Sequence, residues 1–264
     1  MEEGIVTYSI VSAVGSGSVV GFMLGLLGGG GSILATPLLL YVVGVAEPHV
    51  AIGTGALAVS ANAFANFGIH AVKGHVWWRC AIVFSLLGTI GALLGSTLGK
   101  SMDGDKLLFL FGIVMVVIGG LMLRPKKSLS TVPRPIDGKM CLITAAVALA
   151  SGAASGLFGI GGGFLIVPGL ILATGMPMIN AVGSSLLSVG AFGLATAINY
   201  AASGLVDGML AVEFVGGGIV GGVFGMILST RLSVYKGLLN RMFAGLIFMV
   251  AGYVLYRSLS GVIP

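Results

Sequence analysis

The chain has 264 residues, 57% of them hydrophobic and only 8% charged, with a net charge of +5. A soluble domain carries about 25% charged residues, so this inventory excludes a water-facing globular domain. The basic residues fall between apolar spans, where membrane topology accounts for them better than nucleic-acid binding does.

In chain order, Met1-Glu2-Glu3 is acidic where a secretory signal needs a basic start. Gly4 to Leu27 then carries no Lys, Arg, Asp or Glu, and neither does Val50 to Val72. Each run is long enough to cross a hydrocarbon core of about 30 Å as a helix. Apolar periods and breakers divide the first half into helical segments at 4–27, 32–44, 49–72, 77–99 and 105–123. The stretch RPKKSLSTVPRPIDGK, residues 124–139, holds three prolines and five basic residues and reads as a linker. The second half follows the same plan at 140–158, 163–174, 179–203, 207–229 and 238–258. The second segment of each half spans about 18–20 Å as an α-helix, less than a full crossing. Cys80 and Cys141 are too few for a disulfide framework and read as packing residues.

The halves align at an offset near 130. Gly25, Gly28, Gly30, Gly31 and Pro37 meet Gly156, Gly159, Gly161, Gly162 and Pro168. After a one-residue slip, Gly53-Thr54 meets Gly183-Ser184, His70 meets Tyr200 and Gly74 meets Gly204, while Gly91 and Gly95 meet Gly221 and Gly225. Internal repetition of this kind marks many transporters. If all ten segments cross, Lys73, Arg79, Arg124, Lys126, Lys127, Arg134, Lys139, Arg231, Lys236 and Arg241 share one side, and only Lys100, Lys106 and Arg257 lie opposite. If the short segments do not cross and each half has four spans, the split weakens to eight against five, so the positive-inside rule favours the ten-segment arrangement. The expectation is an all-α polytopic membrane protein of two inverted repeats, 1–123 and 140–264, joined by a cytoplasmic linker at 124–139. Both termini are expected in the periplasm, and short, discontinuous helices follow the glycine-rich breaks.

GLLGGGGSILATP at 25–37 and GLFGIGGGFLIVP at 156–168 place consecutive glycines inside oily segments. A nucleotide fingerprint needs a strand before it and a soluble βαβ unit around it, and neither is present. GxxxG pairs such as Gly91/Gly95, Gly217/Gly221 and Gly221/Gly225 suit close helix packing. A contiguous run is different, because each glycine costs about 1 kcal/mol in helix propensity and bares backbone that lipid cannot satisfy. The reading is two mirrored breaks whose backbone N–H groups and helix N-termini meet an anion. Candidate binding residues are Gly28, Gly29, Gly30, Gly31, Ser32, Gly161, Gly162 and Gly163, with Ser32 as an N-cap.

Asn62 and Asn66 lie four apart on one helical face and can donate to an oxyanion. Thr54, Ser184 and Ser185 are hydroxyl candidates, although such hydroxyls commonly bond back to their own helix. Glu213 and His70 are candidates for carrying a coupling proton. His49 and His75 read as flanking residues, and Trp77 and Trp78 as an interfacial aromatic belt. No cofactor or metal is expected.

The doubled glycine motifs, GTGALAVSANAFANFGIHAVKGHVWW at 53–78, the basic central linker and the length together resemble the sulfite exporter TauE/SafE family, also called the 4-toluene sulfonate uptake permeases. The resemblance covers nearly the whole chain. It implies a bacterial inner-membrane carrier of small sulfur-containing anions such as sulfite, sulfoacetate or related organosulfonates. The first motif reads GGGGS and the second GIGGG, so the two breaks need not contribute equally. A secondary carrier working by alternating access, coupled to protons, is the leading reading, and a passive anion channel on the same glycine site is the alternative. An intramembrane enzyme is not expected, because no Ser–His or paired-Asp arrangement repeats at a shared depth and no HExxH occurs, and a scaffold or receptor role would leave the mirrored breaks without purpose. The expected partners are the anion and the lipid bilayer, and glycine-lined faces leave a homodimer open.

Overall fold

The computed structural model describes residues 2–123, 138–159, 166–167, 170, 176, 178–231, 245 and 248–256. Among these there is no strand. Apolar side chains with no competing water make internally bonded helices the natural solution in lipid. They form α1 (Glu2–Leu27), a 3-10 segment (Gly28–Leu34), α2 (Ala35–Leu38), a π turn (Leu39–Val43) and α3 (Pro48–Val72). Then come α4 (Trp78–Ser101), α5 (Gly104–Leu123), α6 (Gly138–Phe158), α7 (Met178–Ala201) and α8 (Gly208–Arg231). Most bounds fall within two residues of the predicted segments. Linker residues 124–137 and Gly161, Gly162 and Gly163 lie outside the described residues, as do most of the predicted segments at 163–174 and 238–258.

Among the described residues, four helical stretches are long and apolar enough to cross a membrane: Pro48–Val72, Trp78–Ser101, Asn180–Ala201 and Gly208–Leu228. The first and third are 67% and 72% buried against 44% and 39% for the other two, which puts α3 and α7 at the centre. The outer faces of α4 and α8 expose an apolar surface of Leu86, Ile90, Leu94 and Leu98 on one and Val212, Val220, Phe224 and Ile227 on the other.

Glycine determines how closely the helices meet. A β-carbon at Gly17, Gly21 or Gly25 of α1 would strike the backbone of Phe214, Gly218 or Gly222 of α8. From the other side, Gly217, Gly221 and Gly225 abut Val14, Ser18 and Phe22. The same register joins α4 to α6, where Gly91 and Gly95 abut Leu149 and Ala153, and Gly152 and Gly156 abut Gly88 and Ala92. Lipid tails are as apolar as leucine, so backbone approach and dispersion replace the hydrophobic drive here.

α3 and α7 run antiparallel. Gly53 packs on Tyr200 at one end and Gly183 on His70 at the other, and midway the Ser60 hydroxyl donates to the Gly190 carbonyl at 2.7 Å. Both helices stop in the same way, with Gly74 (φ +71°) and Gly204 (φ +72°) left-handed. The His75 and Leu205 N–H groups reach back to the His70 and Tyr200 carbonyls at 3.0 Å. Glycine is the residue that closes such a Schellman turn without strain. At the Tyr200 end, Lys100 Nζ donates to the Asn199 carbonyl (2.9 Å), to Asn199 Oδ1 (2.8 Å) and to Ser203 Oγ (2.9 Å).

The first break differs from expectation in detail. Only Gly28 turns the chain left-handed, at φ +70°, and Gly29, Gly30, Gly31 and Ser32 are wound into the 3-10 segment. Ser32 therefore lies inside a helix and not at its start. Bonds of the 3-10 type satisfy backbone groups that a bare loop would leave open, and each residue advances further. Seven residues cover roughly 14 Å this way, against roughly 10 Å as an α-helix. The stretch from Gly28 to Val43 thereby links the two ends of the bundle. Gly28 packs on Val182 beside the His70 end, while Pro48 after the stretch packs on Gly104 at the Tyr200 end. Gly159, the partner of Gly28 in the second half, is left-handed at φ +66° and packs on Ile52.

Candidate functional site

α3 presents Asn62 and Asn66 toward the glycine face of α8. Their spacing of four puts them on one stripe, and Asn66 Nδ2 donates to the Asn62 carbonyl at 2.9 Å. The Asn62 carboxamide is fully buried and lies directly over Gly218. Among the described residues, neither its Nδ2 nor its Oδ1 has a hydrogen-bond partner. Leaving such groups unmade costs about 1–3 kcal/mol each, so the fold maintains this amide against its own stability. Asn66 lies over Gly222, whose added β-carbon would come 2.9 Å from its Nδ2. In the other half the equivalent place over Gly88 is filled by Phe192. Neither α3 nor α8 carries Lys or Arg before Arg231, so an anion between them would meet amide dipoles and not cationic side chains.

The other predicted residues are dispersed. The Thr54 hydroxyl accepts from the Asp207 N–H at 2.9 Å, at the entry to α8. The Ser184 hydroxyl accepts from the Trp77 N–H at 3.0 Å, at the entry to α4. These equivalent hydroxyls tie each central helix to a helix start in the other half. Ser185 donates to the Val182 carbonyl at 2.8 Å, the back-bonding expected of a hydroxyl in a span. Ser32 is fully buried within the 3-10 segment. His70 is buried at the end of α3 with Nδ1 unpartnered. Glu213 is half-buried on α8, five residues from Gly218 and so about 140° around the helix from the Asn62 face. Asn62 and Asn66 are thus brought together, and His70 follows one turn beyond Asn66 on the same buried stripe of α3, while Thr54, Ser184, Ser185 and Glu213 stand apart from them.

Sequence reasoning passed over Tyr200. Its side chain is fully buried and its hydroxyl has no partner among the described residues, lying 3.0 Å from where a β-carbon at Gly99 would stand. The signal was present, since the repeat alignment already set Tyr200 against His70 and a buried phenol ordinarily finds a partner.

Residues 13–254, from the body of α1 to the last described helical stretch, match the model of the sulfite exporter TauE/SafE family. The chain belongs to the TauE/SafE family. A probable membrane transporter protein of Xylella fastidiosa (strain 9a5c) is 60% identical over 254 residues, 95% of this chain and 96% of the relative. The probable membrane transporter protein YunE of Bacillus subtilis is 26% identical over 85% of this chain and 90% of its own length. A probable membrane transporter protein of Methanocaldococcus jannaschii is 28% identical over 63% of this chain and 64% of its own length. No solved structure matches. This TauE/SafE chain is therefore a membrane transporter, and its matched region contains both asparagines, the left-handed glycines and the ties between the halves.

Proposed function

We propose that the protein is a secondary active transporter that moves small sulfur-containing anions, such as sulfite, sulfoacetate or related organosulfonates, across the bacterial inner membrane by alternating access. The observation that carries this reading is the Asn62 carboxamide, buried without partners between α3 and α8. An amide there gives an oxyanion a donor inside lipid without the desolvation of a fixed cation.

The two halves act as repeats of opposite orientation. In support, the contacts Gly28–Val182 and Gly159–Ile52 are copies of one another, as are Gly53–Tyr200 and Gly183–His70. The equivalent helices α3 and α7 are antiparallel neighbours, and a twofold axis relating such neighbours lies perpendicular to both, hence in the membrane plane. Binding near the repeat interface is the usual arrangement in inverted-repeat carriers. The distribution of basic residues supports a cytoplasmic linker and periplasmic termini.

Purified protein in liposomes is expected to take up radiolabelled sulfite saturably and to show counterflow. Flux that rises linearly with concentration and shows no counterflow would replace the carrier with a channel. Coupling to protons is assigned to Glu213, an acid within a span. Glu213→Gln is expected to flatten the dependence of uptake on an imposed pH gradient, and an unaltered profile would return Glu213 to a packing role.

A further inference from the structure

All three histidines of the chain, His49, His70 and His75, keep Nδ1 buried and without a partner among the described residues. Two of them meet, with the His70 and His75 ring centroids 5.7 Å apart and the planes inclined at 56°. The turn that ends α3 brings them together, as the His75 N–H donates to the His70 carbonyl at 3.0 Å. His70 is 7% exposed, and Gly183 packs against both its β-carbon and the His75 carbonyl. Lys73 lies between the two histidines in the chain, and Arg79 follows at the start of α4. A buried ring nitrogen without a partner is unfavourable unless something outside the chain supplies one.

We propose that His70 and His75 form an anion-binding station at this end of the bundle, separate from the Asn62 amide, which takes a small sulfur oxyanion between the two imidazoles. With Nδ1 protonated, each ring is a donor, and the pair is close enough for a single small oxyanion to bridge. Asn62 is eight residues away along α3, about 12 Å, so one ion does not touch both places. The choice of ligand rests on the transport reading above, whereas the station itself rests on the two rings. In the present conformation the Trp77 N–H is held to the Ser184 hydroxyl, which ties down the chain that follows His75, and the ion enters when that bond opens. Occupancy therefore reports on Trp77 and Trp78, the only two tryptophans in the chain. Trp78 stands edge-on to Phe67 at 5.7 Å.

The test is a titration of the full-length protein in lipid nanodiscs with sodium sulfite, against sodium chloride at matched ionic strength, followed by tryptophan emission. A saturable change specific to sulfite is expected in the wild type and in Asn62→Phe. In His70→Gln and His75→Gln the half-saturating concentration should rise at least tenfold. His75 lies in a half-buried turn, so that variant decides the matter should His70→Gln fail to fold. Unchanged titrations in the histidine variants, or no wild-type response at concentrations that saturate uptake, overturn the station and leave the transport reading standing. A histidine-dependent response in a protein that moves no sulfite supports the station and overturns the transport reading.

Discussion

Asn62→Phe is expected to yield a folded protein whose uptake is at least about 100-fold lower, a loss of the size that follows removal of one preorganised donor to an anion. The second half of the chain already displays the packing this variant would adopt. Phe192 occupies the place over Gly88 that Asn62 occupies over Gly218, and it stacks on Phe84 at 6.3 Å. The residue 130 positions beyond Phe84 is Phe214, fully buried on α8, so an aromatic ring at position 62 has a waiting neighbour. Gly218→Ala provides a companion experiment: it keeps Asn62 but drives a methyl into its carboxamide, and uptake should fall while stability drops by about 1–3 kcal/mol, the cost of overpacking where a side chain can shift. Undiminished uptake in Asn62→Phe, measured in liposomes with the variant shown to be monodisperse, would remove the amide from the transport path.

Gly21→Ala should act on the fold itself. Its β-carbon would meet the carbonyl of Gly218, which is backbone and cannot rotate away. Overpacking ordinarily costs about 1–3 kcal/mol where side chains can shift. Here α1 must part from α8, and a loss of roughly 3 kcal/mol or more is expected. Gly15→Ala and Gly216→Ala face open space and should be neutral or gain up to about 1 kcal/mol from helix propensity. Thermal unfolding of the three variants in detergent checks the contrast. Equal midpoints would mean that α1 and α8 pack less closely than their glycines allow.

The helices were legible because hydropathy and charge-free length are local properties, and the bounds of α3 and α4 fall within two residues of those expected. The packing role of Gly91, Gly217 and Gly221 was legible too, since small residues at a spacing of four line one face of a helix and admit a second backbone there. The winding of Gly28 to Leu34 was not. Consecutive glycines look like a gap in a helix, and only the demand to satisfy backbone groups across the bundle reveals a 3-10 continuation. Thr54 and Ser184 were recognised as a pair, but their acceptor roles toward Asp207 and Trp77 join positions more than 100 residues apart, which no local pattern encodes. Asn62 was visible as a polar residue in an oily span. Its lack of any partner is a tertiary fact.

The Lys100 contacts give the molecule a bias that its repetition would otherwise deny it. Positions 130 residues from Lys100 and Asn199 hold Thr230 and Ile69, so neither aligned position repeats the ammonium or the amide that bridge α4 to the last turn of α7. Prying the bundle apart at that pole must sever the Trp77–Ser184 bond. Prying it apart at the lysine pole must sever three bonds to a charged donor as well as the Thr54–Asp207 bond. Opening the lysine pole would therefore break charged contacts that Thr230 and Ile69, the aligned residues, do not offer at the other.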